Sequence, residues 1–69
     1  MVSYNKLWKL LIDKKMKKKH LGEMAGLSSN TLAKMSKNEM VSMDVLIRIC
    51  KVFKCDIGDI MEIVDEQGE

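Results

Sequence analysis

Apolar residues recur along the chain three and four positions apart, which is the spacing that places them on one face of an α-helix. Leu7, Leu10 and Leu11 form the first such group. No segment alternates between apolar and polar residues as a half-buried strand does, and the chain contains no proline. The pattern predicts an all-α fold, built as a compact domain of five helices.

Serine and glycine residues mark the ends of these helices. Ser3, Ser28 and Ser42 each precede a helical pattern, where a hydroxyl group can cap unpaired backbone N–H groups. Gly26 follows the second helix, at a position that favours positive φ. The predicted helices cover residues 4–15, 17–25 and 29–35, a fourth segment that follows Ser42 and carries inward residues as far as Phe53, and residues 57–64.

All five segments are expected to form one domain. Its predicted extent is residues 1–64, and residues 65–69 are expected to be a polar, frayed tail. The longest aliphatic run, Leu10 to Ile12, is far shorter than the roughly 20 residues of a membrane span. The lysines of the first twenty residues argue against a secretory signal. We therefore expect a cytoplasmic protein that does not enter a membrane.

Charge is divided unevenly along the chain. Residues 1–40 carry nine lysines against three acidic side chains, a formal charge of +6. Residues 41–69 carry three basic side chains against seven acidic ones, a formal charge of −4. The first part is suited to a polyanion and the second part repels one.

Side-chain chemistry argues against catalysis and metal binding. Cys50 and Cys55 form no CxxC motif and combine with His20 in no recognised ligand spacing, so we interpret both as reduced packing residues. His20 and Glu23 are helical neighbours, but no nucleophile or cofactor motif accompanies them. A domain this small also leaves no room for a deep cleft. We expect no enzyme activity, no cofactor, no metal and no small-molecule ligand.

The second and third predicted helices, with a glycine in the turn between them, predict a helix-turn-helix motif. Gly22 falls on the inner side of the second helix, where the absence of a side chain lets the third helix cross closely. Ser29, Asn30 and Lys34 are then directed away from the shared apolar patch, so they can reach a DNA groove. The predicted patch consists of Leu21, Leu27, Leu32 and Met35.

The order and spacing of several short motifs match a known family. The motifs are Leu21-Gly22-x-x-x-Gly26-Leu27-Ser28, Thr31-Leu32 with Met35, Ser42-Met43-Asp44-x-Leu46, and the segment from Cys55 to Ile60. Over nearly the whole chain they resemble the Cro and phage-repressor type of helix-turn-helix regulator, the XRE family. The resemblance implies a repressor-like domain whose third helix enters the major groove, usually as a dimer on a pseudo-palindromic operator.

The resemblance also implies roles for individual residues. The family's base-contacting positions fall on Ser29, Asn30 and Lys34, of which an amide such as Asn30 can pair bidentately with adenine. The chain departs from the family pattern at Lys18, where glutamine is common, and at Gly22, where alanine is usual. Contacts to the DNA backbone are implied for Ser28, Thr31, Lys37 and Asn38.

A run of three lysines, Lys17, Lys18 and Lys19, opens the second helix. Cations at a helix N-terminus oppose the macrodipole, so their presence there needs another explanation. The unpaired N–H groups of a helix start already attract an anion, and lysines strengthen that site. We therefore predict phosphate contacts for all three, against the alternative that they are solvated surface lysines.

The last predicted helix carries more apolar side chains than one helical stripe buries. We predict that part of this surface forms a homodimer interface, against the alternative that the domain buries all of it internally. The predicted interface residues are Ile60, Met61, Ile63 and Val64.

Together these features predict a sequence-specific regulator, a repressor, that binds double-stranded DNA through residues 29–35. The competing hypothesis is a helix-turn-helix that binds a protein partner, as an antitoxin does, because the C-terminal part is acidic and apolar.

Overall fold

The computed structural model describes residues 1–65, and it contains four α-helices and one small sheet. The predicted tail lies outside the described residues except for Asp65. In chain order the elements are β1 (Val2–Ser3), α1 (Asn5–Asp13), α2 (Lys18–Ala25), α3 (Ser29–Ser36), α4 (Met43–Phe53), a 3₁₀ helix (Ile57–Asp59) and β2 (Glu62–Ile63). The longest of these helices, α4, has 11 residues, and none within residues 1–65 is long and apolar enough to cross a bilayer.

The helix-turn-helix forms where the sequence predicted it. Gly26 ends α2 with a φ of 70°. Ser28 then begins α3, and its Oγ accepts a hydrogen bond from the Thr31 N–H at 3.1 Å. A Cβ placed on Gly22 would lie 2.9 Å from Leu32 Cδ1 of α3, so the glycine does permit a close crossing of the two helices.

The core lies between α1, the helix-turn-helix and α4. Leu7, Leu21, Met35 and Ile49 contribute one fully buried side chain from each of the four helices. Ile60, directly after the 3₁₀ helix, is also fully buried among them. Since every helix has an anchor in one core, the orientation of α3 depends on packing contributed by the whole domain.

The two ends of the chain differ from the prediction. The N-cap residue of α1 is Tyr4 and not Ser3, although Ser3 Oγ accepts the Asn5 N–H at 3.3 Å. Ser3 lies in β1, which pairs antiparallel with β2 in the register Val2↔Ile63 and Ser3↔Glu62. The helix expected over residues 57–64 ends after a single 3₁₀ turn. Asp59 Oδ2 closes that turn by accepting the Asp56 N–H at 3.0 Å. The backbone beyond it then bonds to the N-terminal segment, through the Val64 N–H and the Met1 carbonyl at 2.9 Å.

The strands β1 and β2 were not predicted because the interactions that form them are long-range in sequence. A two-residue strand is too short to show an alternating pattern, and its partner lies about sixty residues away in sequence. The prediction of an all-α helix-turn-helix domain is confirmed, with four α-helices and a 3₁₀ helix in place of five helices.

Replacing Gly26 by alanine tests the turn. An alanine there would have to adopt a left-handed backbone conformation, which side chains disfavour. Space is not the obstacle, because the nearest atom to the added Cβ, Arg48 Nη1, lies at an ordinary van der Waals distance of 3.8 Å. We expect Gly26→Ala to lower the free energy of unfolding by about 1–2 kcal/mol, as measured by urea denaturation. Gly58→Ala is the matched control, because its added Cβ meets nothing within 4 Å. Equal effects of the two substitutions would contradict the assigned role of Gly26.

Candidate nucleic-acid interface

The outer face of α3 carries the residues predicted to contact bases. Ser29, Asn30 and Lys34 are all exposed, whereas Met35 of the same helix is fully buried and Leu32 packs against the core. The apolar side of α3 thus holds the helix against the domain. Its polar side presents a hydroxyl, an amide and an ammonium group to solvent, and these are groups that hydrogen-bond to base edges.

The first turn of α3 is held by its own side chains. In addition to accepting the Thr31 N–H, Ser28 Oγ lies 3.1 Å from Thr31 Oγ1. Both residues were predicted to contact the DNA backbone. The structure gives them a local task as well, because they set the first turn of the helix that carries Asn30.

The N-cap residue of α2 does not cap the helix with its own side chain. The residue at the N-cap is Lys17, whose ammonium group cannot accept a hydrogen bond, whereas α3 and α4 each begin at a capping serine. His20 Nδ1 accepts the Lys17 N–H at 3.3 Å, which places any proton of the neutral ring on Nε2. Lys17 and Lys19 are exposed beside this helix start. The arrangement is suited to an anion.

Lys18 has partners that the sequence did not reveal. Its Nζ donates to Ser36 Oγ at 2.9 Å and lies 4.2 Å from the centroid of the Trp8 ring. The three residues belong to α1, α2 and α3. Lys18 therefore connects side chains of three helices, unlike a surface lysine that contacts only solvent.

The loop after α3 is fixed by the N-terminal segment. Asn38 has a φ of 58°, and its Oδ1 accepts the Tyr4 N–H at 3.2 Å. Tyr4 OH donates to the Glu39 carbonyl at 2.8 Å. The amide oxygen of Asn38 is thus committed within the domain, which leaves its NH₂ group for the predicted phosphate contact. Lys37, at the end of α3, is exposed.

Arg48 connects α4 to the helix-turn-helix. Its Nη1 donates to the carbonyl of Gly26 at 3.1 Å, and its Nη2 lies 2.6 Å from Asp44 Oδ2 one helical turn away. Neither contact of Arg48 was predicted from the sequence, although the Asp44–Arg48 spacing is that of a helical ion pair. Arg48 therefore satisfies a carbonyl at the end of α2.

The residues predicted for a dimer interface are not equivalent in the structure. Ile60 is fully buried in its own domain, so it offers no surface to a partner, and Met61 and Val64 are half-buried. Ile63 of β2 is 78% exposed. The helix that was expected to carry these four residues does not form, and among them Ile63 is the one with a mostly exposed side chain.

No group of three or more histidine, cysteine or acidic side chains within residues 1–65 is arranged to hold a metal ion. The polar groups gathered around α3 are instead hydroxyls, amides and lysines. Such a helix, projecting from a tight turn and flanked by lysines, defines a DNA-binding helix-turn-helix protein.

Comparison with known proteins agrees with this class. The family model for the Cro/C1-type HTH DNA-binding domain matches residues 6–66, and the chain belongs to this family. It is similar to the transcriptional regulator VanUg, whose crystal structure, form II, superimposes with a TM-score of 0.90. The two sequences are 58% identical, and the match covers 94% of this chain and 87% of the other. Among curated proteins no match was found.

Proposed function

We propose that this protein is a sequence-specific repressor that inserts α3 into the major groove of double-stranded DNA. The observation that carries the proposal is the division of α3 into a buried side, with Met35, and an exposed polar side with Ser29, Asn30 and Lys34. Asn30 pairs with an adenine and Lys34 donates to guanine acceptors. A protein seated in this way blocks access to the DNA that it covers, which is the basis of the repressor role.

Phosphate contacts on both sides of the groove complete the proposed interface. Lys17, Lys18 and Lys19 bind the backbone at the start of α2, and Lys37 and Asn38 bind it beyond the end of α3. Ser28 and Thr31 lie at the start of α3, where their hydroxyls face the same backbone. Because these contacts replace condensed counterions, they make binding strongly dependent on salt.

The proposed operator complex contains two copies of the protein. Ile63 is the most exposed apolar side chain near the C-terminal end of the described chain, at 78%, and it lies on a short strand. Pairing two copies through this surface covers it and keeps the acidic part of each chain away from DNA. The two α3 helices then have to lie roughly 34 Å apart to enter successive major grooves.

Selection of bound duplexes from a random library tests the function directly. We expect a palindromic consensus, and affinity for unrelated duplexes that falls steeply as salt rises. Failure to bind any duplex even at low salt would instead support the second hypothesis, in which the helix-turn-helix binds a protein partner.

Lys18→Ala tests the phosphate contact. Affinity for all duplexes should fall by a similar factor, and the slope of log affinity against log salt should decrease by roughly one unit. Lys51→Ala is the matched control, since Lys51 is an exposed lysine of α4, in the acidic part of the chain. An effect of Lys18→Ala confined to one operator base pair would contradict the assignment.

Ile63→Asp tests the dimer. Introducing a charge on each copy at the shared surface should convert the dimer to monomer in sedimentation equilibrium at micromolar concentration, and operator affinity should fall with it. Because Ile63 is mostly exposed, the fold should survive, which circular dichroism can check. Unchanged mass and affinity would place the interface elsewhere.

A further inference from the structure

The two cysteines lie at the turn that ends α4. The helix stops at Lys54, whose φ is 55°, and the Cys55 N–H then donates to the Cys50 carbonyl at 3.1 Å. This six-to-one hydrogen bond is that of a Schellman motif, in which the residues at the two ends of the turn frequently pack together. Cys50 and Cys55 line the same surface groove, so the turn places them side by side although five positions separate them in sequence.

Both thiols are reachable from solvent. They are half-buried and line one shallow surface groove together with Ile47, Lys51 and Lys54. Burial and the neighbouring Cys55 thiol, followed by Asp56 and Asp59, raise the pKa of Cys50 to about 11. Cys50 thus keeps its proton at neutral pH, which makes it a poor first nucleophile.

The pair has too few neighbours for a metal site. No third cysteine, histidine or carboxylate joins it in an arrangement that could hold an ion, within the part of the chain that the structure describes. A tetrahedral zinc site needs four ligands, whereas a disulfide needs only two sulfurs at a suitable separation.

We propose that Cys50 and Cys55 form a reversible oxidation site, which closes to an intramolecular disulfide by exchange with a low-molecular-weight disulfide. The Cys55 thiolate attacks one sulfur of the small disulfide and releases the first small thiol. Cys50 then loses its proton and attacks the mixed disulfide at the Cys55 sulfur, which releases the second small thiol. Two protein thiols are oxidised and one small disulfide is reduced. The resulting disulfide joins the end of α4 covalently to the segment that leads into the 3₁₀ helix.

The test uses the native full chain with oxidised glutathione as the small disulfide. We expect the intact mass to fall by two hydrogens with no glutathione retained, and dithiothreitol to restore the original mass. Peptide mapping should join the peptides that contain Cys50 and Cys55. The proposal is overturned if glutathione stays on the wild-type protein, if covalent dimers form, or if the thiols react only after denaturation.

A single substitution separates ring closure from simple thiol reactivity. Cys50→Ser keeps Cys55 but removes the second attack, so it should retain one glutathione under the conditions that leave the wild type with none. Circular dichroism confirms that the variant is folded, which a thiol-to-hydroxyl change at a half-buried position permits. If wild type and Cys50→Ser carry the same adduct, Cys50 does not take part and the proposal fails.

Discussion

Tyr4→Ala is expected to unfold most of the protein at room temperature. Tyr4 is 1% exposed, and its ring belongs to the core cluster that also contains Leu7 and Met35. Removing a buried aromatic side chain costs about 3–5 kcal/mol. A chain of this size has a total stability of only about 3–10 kcal/mol, so the loss is comparable to the whole. Circular dichroism during urea titration measures the change.

Tyr4→Phe is the matched control for this prediction. It keeps the ring but removes the hydrogen bond from Tyr4 OH to the Glu39 carbonyl, so it should cost only about 1 kcal/mol. If Tyr4→Ala were as mild as Tyr4→Phe, the ring would not be part of the core.

The difference in stability between wild type and Tyr4→Phe should depend on pH. Burial raises the pKa of Tyr4 above its ordinary value of 10.0, against a smaller lowering by a hydrogen bond with the Val41 backbone. The neutral phenol is thus favoured in the folded state, and its contribution is complete below pH 10 and lost as the pH rises through the folded pKa. The stability difference between wild type and Tyr4→Phe should shrink over that range. A constant difference would contradict the burial of the hydroxyl.

The helix-turn-helix was predictable because its signals are local. Gly26 and Ser28 lie two residues apart, and each determines the backbone conformation or hydrogen bonding of its immediate neighbours. The exposed positions on α3 follow from the 3.6-residue period once Leu32 and Met35 are assigned to the core. The helix-turn-helix and the exposed face of α3 can therefore be predicted without knowing any contact between distant residues.

The contacts that hold the site in place were not predictable. The Trp8, Lys18 and Ser36 side chains meet only because three helices pack at particular angles, which no spacing in the sequence specifies. The same holds for the pairing of Val2 with Ile63. Sequence patterns thus give the face of α3, whereas long-range packing decides how rigidly that face is presented.

Base recognition provides the prediction with the largest expected effect on binding. Asn30 is exposed on α3, and a bidentate amide–adenine pair contributes about 1–3 kcal/mol of discrimination against the wrong base. Asn30→Ala should therefore weaken cognate binding by roughly 5- to 150-fold. Non-specific binding should be spared, because phosphate contacts remain. Electrophoretic mobility shifts on the selected operator and on its single-base variants measure both quantities.

The folding of the variant does not confound this experiment, because alanine is a better helix former than asparagine and Asn30 is exposed. Lys37→Ala is the complementary variant, since Lys37 is exposed at the other end of α3 and is proposed to contact phosphate. It should weaken binding to all duplexes alike and reduce the salt slope, whereas Asn30→Ala should leave that slope unchanged and relax preference at one base pair. If Asn30→Ala instead weakens cognate and random duplexes equally, Asn30 contacts only the backbone, and base recognition must rest on Ser29 and Lys34.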